Sequence, residues 1–277
     1  MKKTIVTTLF AALFLNISLM AQTVDVTPPK NSIIGTKKET VKEKKLAPLP
    51  NIQEANVMWK KTITREIDFR QKINQPFYFP QHPLEDCRNF ITVVYDAILS
   101  GDLIVYKVEN NSDEMLTPMT VEEFEIANRK TGEGTIIKDG VEIANVKDFR
   151  DRMPDVTRLR IKEDWYFDKH LSQFLVRIIA LCPLIVEEDG FSQVCWIPYE
   201  ESRKIFAEAF VFNRQNASER RTYDEIFLKR YFDSYIVKEE NVMDKYIADD
   251  LSGLNALYES ERVKNDLIDF EQSLWEY

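Results

Sequence analysis

Aromatic residues stop at Phe14 and do not resume until Trp59. Burial of large apolar side chains is what offsets the entropy of ordering a chain, so no packed core can form between those two points. Whatever folds must begin near residue 51. Residues 22–50 also carry Pro28, Pro29, Pro48 and Pro50, and six lysines (Lys30, Lys37, Lys38, Lys42, Lys44, Lys45) against Asp25, Glu39 and Glu43. They read as a flexible, disordered basic leader, and residues 51–277 as the globular body, long enough for one large domain or two small ones.

Ahead of the leader, Lys2 and Lys3 precede a mostly apolar run from Ile5 to Met20, and Ala21-Gln22 offers a small-residue cleavage point. This is the layout of a secretory signal peptide over residues 1–21. The run is short for a membrane span and Asn16 interrupts it. Gln22 stands where a lipid-modified cysteine would be needed, so the mature chain is expected in a bacterial periplasm without a lipid of its own. Net charge is −9, and the body is more acidic still, because lysines concentrate in the signal and leader. Such a body argues against nucleic acid, whose phosphates need clustered Lys and Arg. It also makes an anionic membrane surface a poor direct partner; a cationic partner protein fits better.

Both structural periods occur in the body, predicting an α+β fold of mainly antiparallel strands with flanking helices. "TITREIDFR" alternates as a strand with Ile63, Ile67 and Phe69 on one side. A helix from Asp86 to Ser100 ends at Gly101, and "LIVYKV" (103–108) follows as a strand. Thr120 with Glu123, and Thr222 with Glu225, form capping boxes for two further helices. "TGEGTIIKDG" lacks the Lys-Ser/Thr of a phosphate loop and reads as a hairpin. The glycine-rich stretch 131–157 is the candidate seam between two lobes. Strands are predicted over 159–167, 173–186, 191–198 and "SYIVK", with helices around 200–209 and from Gly253 to the end.

Chemistry is hard to assemble from these residues. His82 and His170 have no neighbouring ligands for a metal, no serine sits in a nucleophile elbow, and no cofactor motif is present. Asp164 and Asp168 beside Trp165 are the one acid pair that suits a periplasmic hydrolase, though on a strand they share a face with Tyr166 as a solvated sheet face does. A soluble binding module for a small ligand or envelope polymer is the other alternative. Around the turn Glu187–Gly190, a register with Val186 facing Phe191 sets Cys182 opposite Cys195 for a disulfide; a two-residue turn sets Ile197 there instead, and buried thiols are the alternative. What remains is surface. The stretch 220–247 interleaves Tyr, Phe and Arg, the residues that dominate interface hot spots.

At these residues the chain resembles the GldN/PorN family of gliding-motility and type IX secretion proteins of Bacteroidota. The resemblance is carried by "VMWKKTITREIDFRQKINQPFYFP", "IKEDWYFDK", "RRTYDEIFLKRYFDSYIVKEENV" and "ALYESERVKNDLIDFEQSLWEY". It implies a non-enzymatic periplasmic component with no catalytic, cofactor or metal residues. It also implies assembly with the outer-membrane lipoprotein GldK/PorK and with copies of itself into a ring, which contacts the periplasmic shaft of the motor protein GldM/PorM. Trp59, Arg65, Tyr223, Phe227, Arg230, Tyr235 and Trp275 are the candidate partner-interface positions, whether they act through the core or the interface.

Overall fold

The computed structural model describes residues 46–84, 87–109, 113–138, 141–188, 190–213 and 221–274. The signal segment, the leader up to residue 45, Asp86 and Trp275 lie outside them. In chain order the strands are β1 (Val57–Asp68), β2 (Val105–Tyr106), β3 (Pro118–Met119), β4 (Lys130–Lys138), β5 (Val141–Lys147), β6 (Val156–Asp168), β7 (Gln173–Glu187), β8 (Gly190–Gln193), β9 (Ile197–Pro198), β10 (Phe210–Val211), β11 (Arg221–Thr222) and β12 (Tyr235–Glu239). The helices longer than a single turn are α1 (Phe90–Ser100), α2 (Val121–Ala127), α3 (Tyr199–Glu208), α4 (Tyr223–Leu228) and α5 (Leu254–Ser273).

A six-stranded antiparallel sheet in the order β12-β1-β6-β7-β8, with β9 also on β7, organises this α+β body. Side chains alternate across a strand, and in the β1–β6 register Ile67 faces Leu159, Arg65 faces Ile161 and Ile63 faces Glu163. That face carries two separate apolar clusters. Ile67, Leu159 and Ile161 belong to the main core with α1, α3 and α4. Ile63 and Ile236 instead lie beneath Val263 and Leu267 of α5.

Helix ends follow local chemistry. Both capping boxes form, at Thr120/Glu123 and Thr222/Glu225. α1 starts later than the Asp86 reading, because the Asn89 side chain accepts from the Thr92 N–H at 2.7 Å. Its end is as expected, at Gly101 with φ 78°, where a side chain would be strained. The predicted strand 103–108 contracts to β2, which pairs with β3 and bridges to Trp196.

Residues 131–157 do not part the body into lobes. They hold most of the β4–β5 hairpin and a turn of helix whose Phe149 and Arg152 are buried, and Glu39–Tyr277 forms one compact unit. The leader reading also runs too far. Arg203 Nη2 donates to the Ala47 carbonyl at 2.7 Å, and Arg177 Nη1 to that of Pro50 at 3.0 Å. Residues 46–50 therefore lie against the body.

The β7–β8 register does place Val186 opposite Phe191, yet Cys182 and Cys195 are not joined and both are buried thiols. The reason is a slip in the ladder. From Leu184↔Gln193 to Leu181↔Ile197, β7 advances three residues while its partner advances four. An extra residue reverses facing: Cys195 joins the main core, whereas Cys182 packs with Ala180, Leu184 and Trp196. Burial pushes the Cys182 thiol up to about 12 and raises Cys195 well above its ordinary value. Since thiolate is the reactive form, native protein is expected to leave Cys182 and Cys195 unlabelled by iodoacetamide. Both should label after denaturation. Mass spectrometry showing Cys182 modified in the native state would contradict this packing.

Candidate interaction surfaces

Most of the candidate positions serve the molecule's own interior. Tyr223 and Phe227 are 0% and 1% exposed, which corrects their reading as partner contacts. The α4 cap turns both rings inward, where Phe227 meets Phe77, Phe90, Tyr199 and Phe206. The Tyr223 hydroxyl donates to the carbonyls of Arg88 (2.9 Å) and Pro76 (3.3 Å). Trp59 stacks between Phe174 and Phe270, joining β1 and β7 to α5.

Arg230 pairs with a buried acid whose charge Arg65 also feels. Glu163 is wholly buried on β6, between the two apolar clusters. Arg230 Nη2 donates to its Oε2 at 3.1 Å, while Nη1 lies 2.8 Å from Oε1 in an off-axis electrostatic contact. Trp165 Nε1 also donates to Oε2. Arg65 is held by Ser234 through Oγ and the carbonyl. Burial lowers its pKa, and neighbouring Glu163 opposes that shift.

The opposite sheet face is ionic, although its alternating Arg and Lys resemble a solvated strand. Glu66 accepts from Arg160 (2.7 Å), Arg158 (3.3 Å) and the Tyr235 hydroxyl (2.9 Å). Burial beside Glu66 raises the Tyr235 pKa. Arg160 continues to Tyr246, whose hydroxyl donates to Asp113; Asp113 in turn accepts from Lys238 at 2.8 Å. This layer borders a cavity of about 560 Å³. Its partners come from β1, β6, β12 and two loops, which no local spacing could announce.

Asp164 is engaged by Lys60 and Thr62, and Asp168 accepts from the His170 and Leu171 N–H groups. The two acids are spent separately on sheet and turn structure, and neither lines the cavities described here. His82 and His170 are exposed. Among the described residues no group of three or more His, Cys, Asp or Glu is placed to hold a metal, and no helix is long and apolar enough to cross a membrane.

Two apolar features do reach the surface. A groove of about 590 Å³ is lined by Ile73, Phe79, Val211, Phe212, Ile226 and Tyr231, and among the described residues its charged lining, Lys72 and Arg221, is basic. Part of the aromatic stretch thus faces outward: Tyr231 is 46% exposed, with the Arg221 guanidinium 5.0 Å from its ring centre. The second feature is the tip of the loop after β12, where Val242 is wholly exposed and Met243 is 75% exposed.

Together the fold and these surfaces define a class: an α+β body whose buried charges are met by internal ion pairs and hydrogen bonds, with an apolar groove and tip at its surface. A family model described as gliding motility associated protein GldN matches residues 52–276. The chain belongs to that family. A search of curated proteins returned no match.

Proposed function

We propose that this chain is a non-enzymatic structural subunit of the periplasmic ring of the type IX secretion system. It assembles with the GldK/PorK lipoprotein and with its own copies, meets the GldM/PorM shaft, and is required for secretion and gliding. The family match across nearly the whole body carries this reading. The signal-like N-terminus supports a periplasmic place at the outer membrane, reached through the lipoprotein because Gln22 offers no lipid site. The engagement of Asp164 and Asp168 in sheet and turn contacts supports a structural role over hydrolysis. Purification from the envelope should yield the chain in a large, stoichiometric complex with the lipoprotein. Deleting the gene should abolish secretion, and Asp164→Asn should restore it as well as wild type does. A chain that never co-purifies with the lipoprotein, or whose secretion depends on the Asp164 carboxylate with the fold intact, would sink the reading.

A further inference from the structure

Val242 and Met243 sit on a braced loop. The Asn241 amide donates to the carbonyls of Glu239 and Lys245, both at 2.9 Å, and its oxygen accepts from the Lys245 N–H at 3.0 Å. Asp244 takes φ 54°, pairs with buried Lys238 at 2.6 Å, and Lys245 pairs with Asp250. Glu240 N–H ties the loop to the Thr62 carbonyl. A loop fixed this firmly gains nothing internally by holding two adjacent apolar side chains in water. The basic-lined groove stands at the far end of the same sheet edge. There Asn74 binds the carbonyls of both Asp68 and Asp233 and holds the segment that enters the groove at Lys72 and Ile73. From Thr62 to Asp68 the edge runs roughly 20 Å.

We propose that the Val242–Met243 tip of one copy seats in the Ile73–Phe79–Tyr231 groove of a second copy, a head-to-tail contact. It rests on the assembly reading above, and names the surfaces for one of that assembly's contacts. Three observations select a second copy. The tip is apolar and the groove lining mostly so. Of the acids flanking the tip, Glu239 pairs with Lys61 and Asp244 with Lys238, which leaves Glu240 as the acid with no ion pair among the described residues, whereas the groove's charged lining among those residues is Lys72 and Arg221. The two features occupy opposite ends of one edge, so a single copy can engage two neighbours, and such a heterologous contact propagates or closes according to its rotation.

The test uses sedimentation velocity on the mature chain with Met243→Asp and Ile73→Asp. Both positions are exposed, so circular dichroism should match wild type. Wild type should form concentration-dependent higher oligomers, and each variant alone should associate at least tenfold more weakly. An equimolar mixture of the two should stop at dimers, because only one intact tip and one intact groove remain per pair. A monomeric wild type, variants that associate like wild type, or a mixture that stays monomeric would each overturn the contact. If the chain is monomeric alone yet co-purifies in a ring with the lipoprotein, this contact fails and the ring reading stands. If it self-associates through the tip but never meets the lipoprotein, the contact stands and the ring reading fails.

Discussion

Truncating Phe227 to alanine is expected to destabilise the body by about 4 kcal/mol, within the range for removing a buried ring. The ring lies 5.5–5.8 Å from those of Phe77, Phe90, Tyr199 and Phe206. These four arrive from two helices and the turn after β1, each held by its own hydrogen bonds, so the surrounding rings cannot slide in to fill the void. Cavity cost rises when a site cannot collapse, which places this substitution toward the upper part of the range. Because a domain is stable by only ~5–15 kcal/mol in total, the urea midpoint should fall by a large fraction while the m-value holds. Two substitutions bracket the effect. Tyr223→Phe removes one hydroxyl shared by two carbonyls and should cost about 1 kcal/mol. Tyr231→Ala, at the exposed groove, should change stability by less than ~0.5 kcal/mol. A Phe227→Ala midpoint close to that of Tyr231→Ala would mean that the aromatic cluster is not the centre of this fold.

Elements whose determinants are near in sequence were the ones readable in advance. The capping boxes need only two residues three apart, and the alternation of Ile63 and Ile67 needs only a strand. Helix α1 was misplaced at its start because Asp86 and Asn89 are both good caps, and what decides between them is where the chain can turn into the core. Burial on both faces of β1 was not readable. Glu66, Arg158 and Arg160 look solvated until β12 and the loop at Asp113 cover them, and the Tyr235 hydroxyl that reaches Glu66 comes from 169 residues away. Within the candidate site, the aromatic density of 220–247 is plain in the sequence, yet the facing of each ring depends on the Thr222 cap of α4 and its early end at Leu228. The cap turns Phe227 inward, and the early end leaves Tyr231 in the groove. The exposed Val242–Met243 tip is legible only after Asn241 is seen to brace it.

Replacing Arg230 with methionine should cost about 3 kcal/mol, because it leaves the wholly buried Glu163 carboxylate facing Arg65 and Trp165 alone. Loss of one member of a buried pair is worse than loss of both, so the double variant Glu163→Gln/Arg230→Met should recover much of the deficit. Arg230 also sits at φ 54°, an uncommon conformation for a side-chain-bearing residue. Arg230→Gly therefore removes the same charge while relieving the backbone, and should be less destabilised than Arg230→Met by about 1 kcal/mol. Thermal and urea unfolding of the four proteins separate the two contributions. If Glu163→Gln fails to rescue Arg230→Met, the ion pair is incidental and the arginine acts through its turn. If it does rescue, the Glu163–Arg230 pair has a structural meaning beyond its energy. Arg65, Glu163 and Arg230 lie where the main core ends and the α5 cluster begins, on a face that would otherwise be continuously apolar. A buried charge at that line tolerates only one register between β1, β6 and the segment leading into β12. The same register sets which end of the β12 edge carries the braced tip and which end opens into the groove. Single-variant loss with double-variant rescue would thus tie the internal salt bridge to the orientation of the tip and the groove.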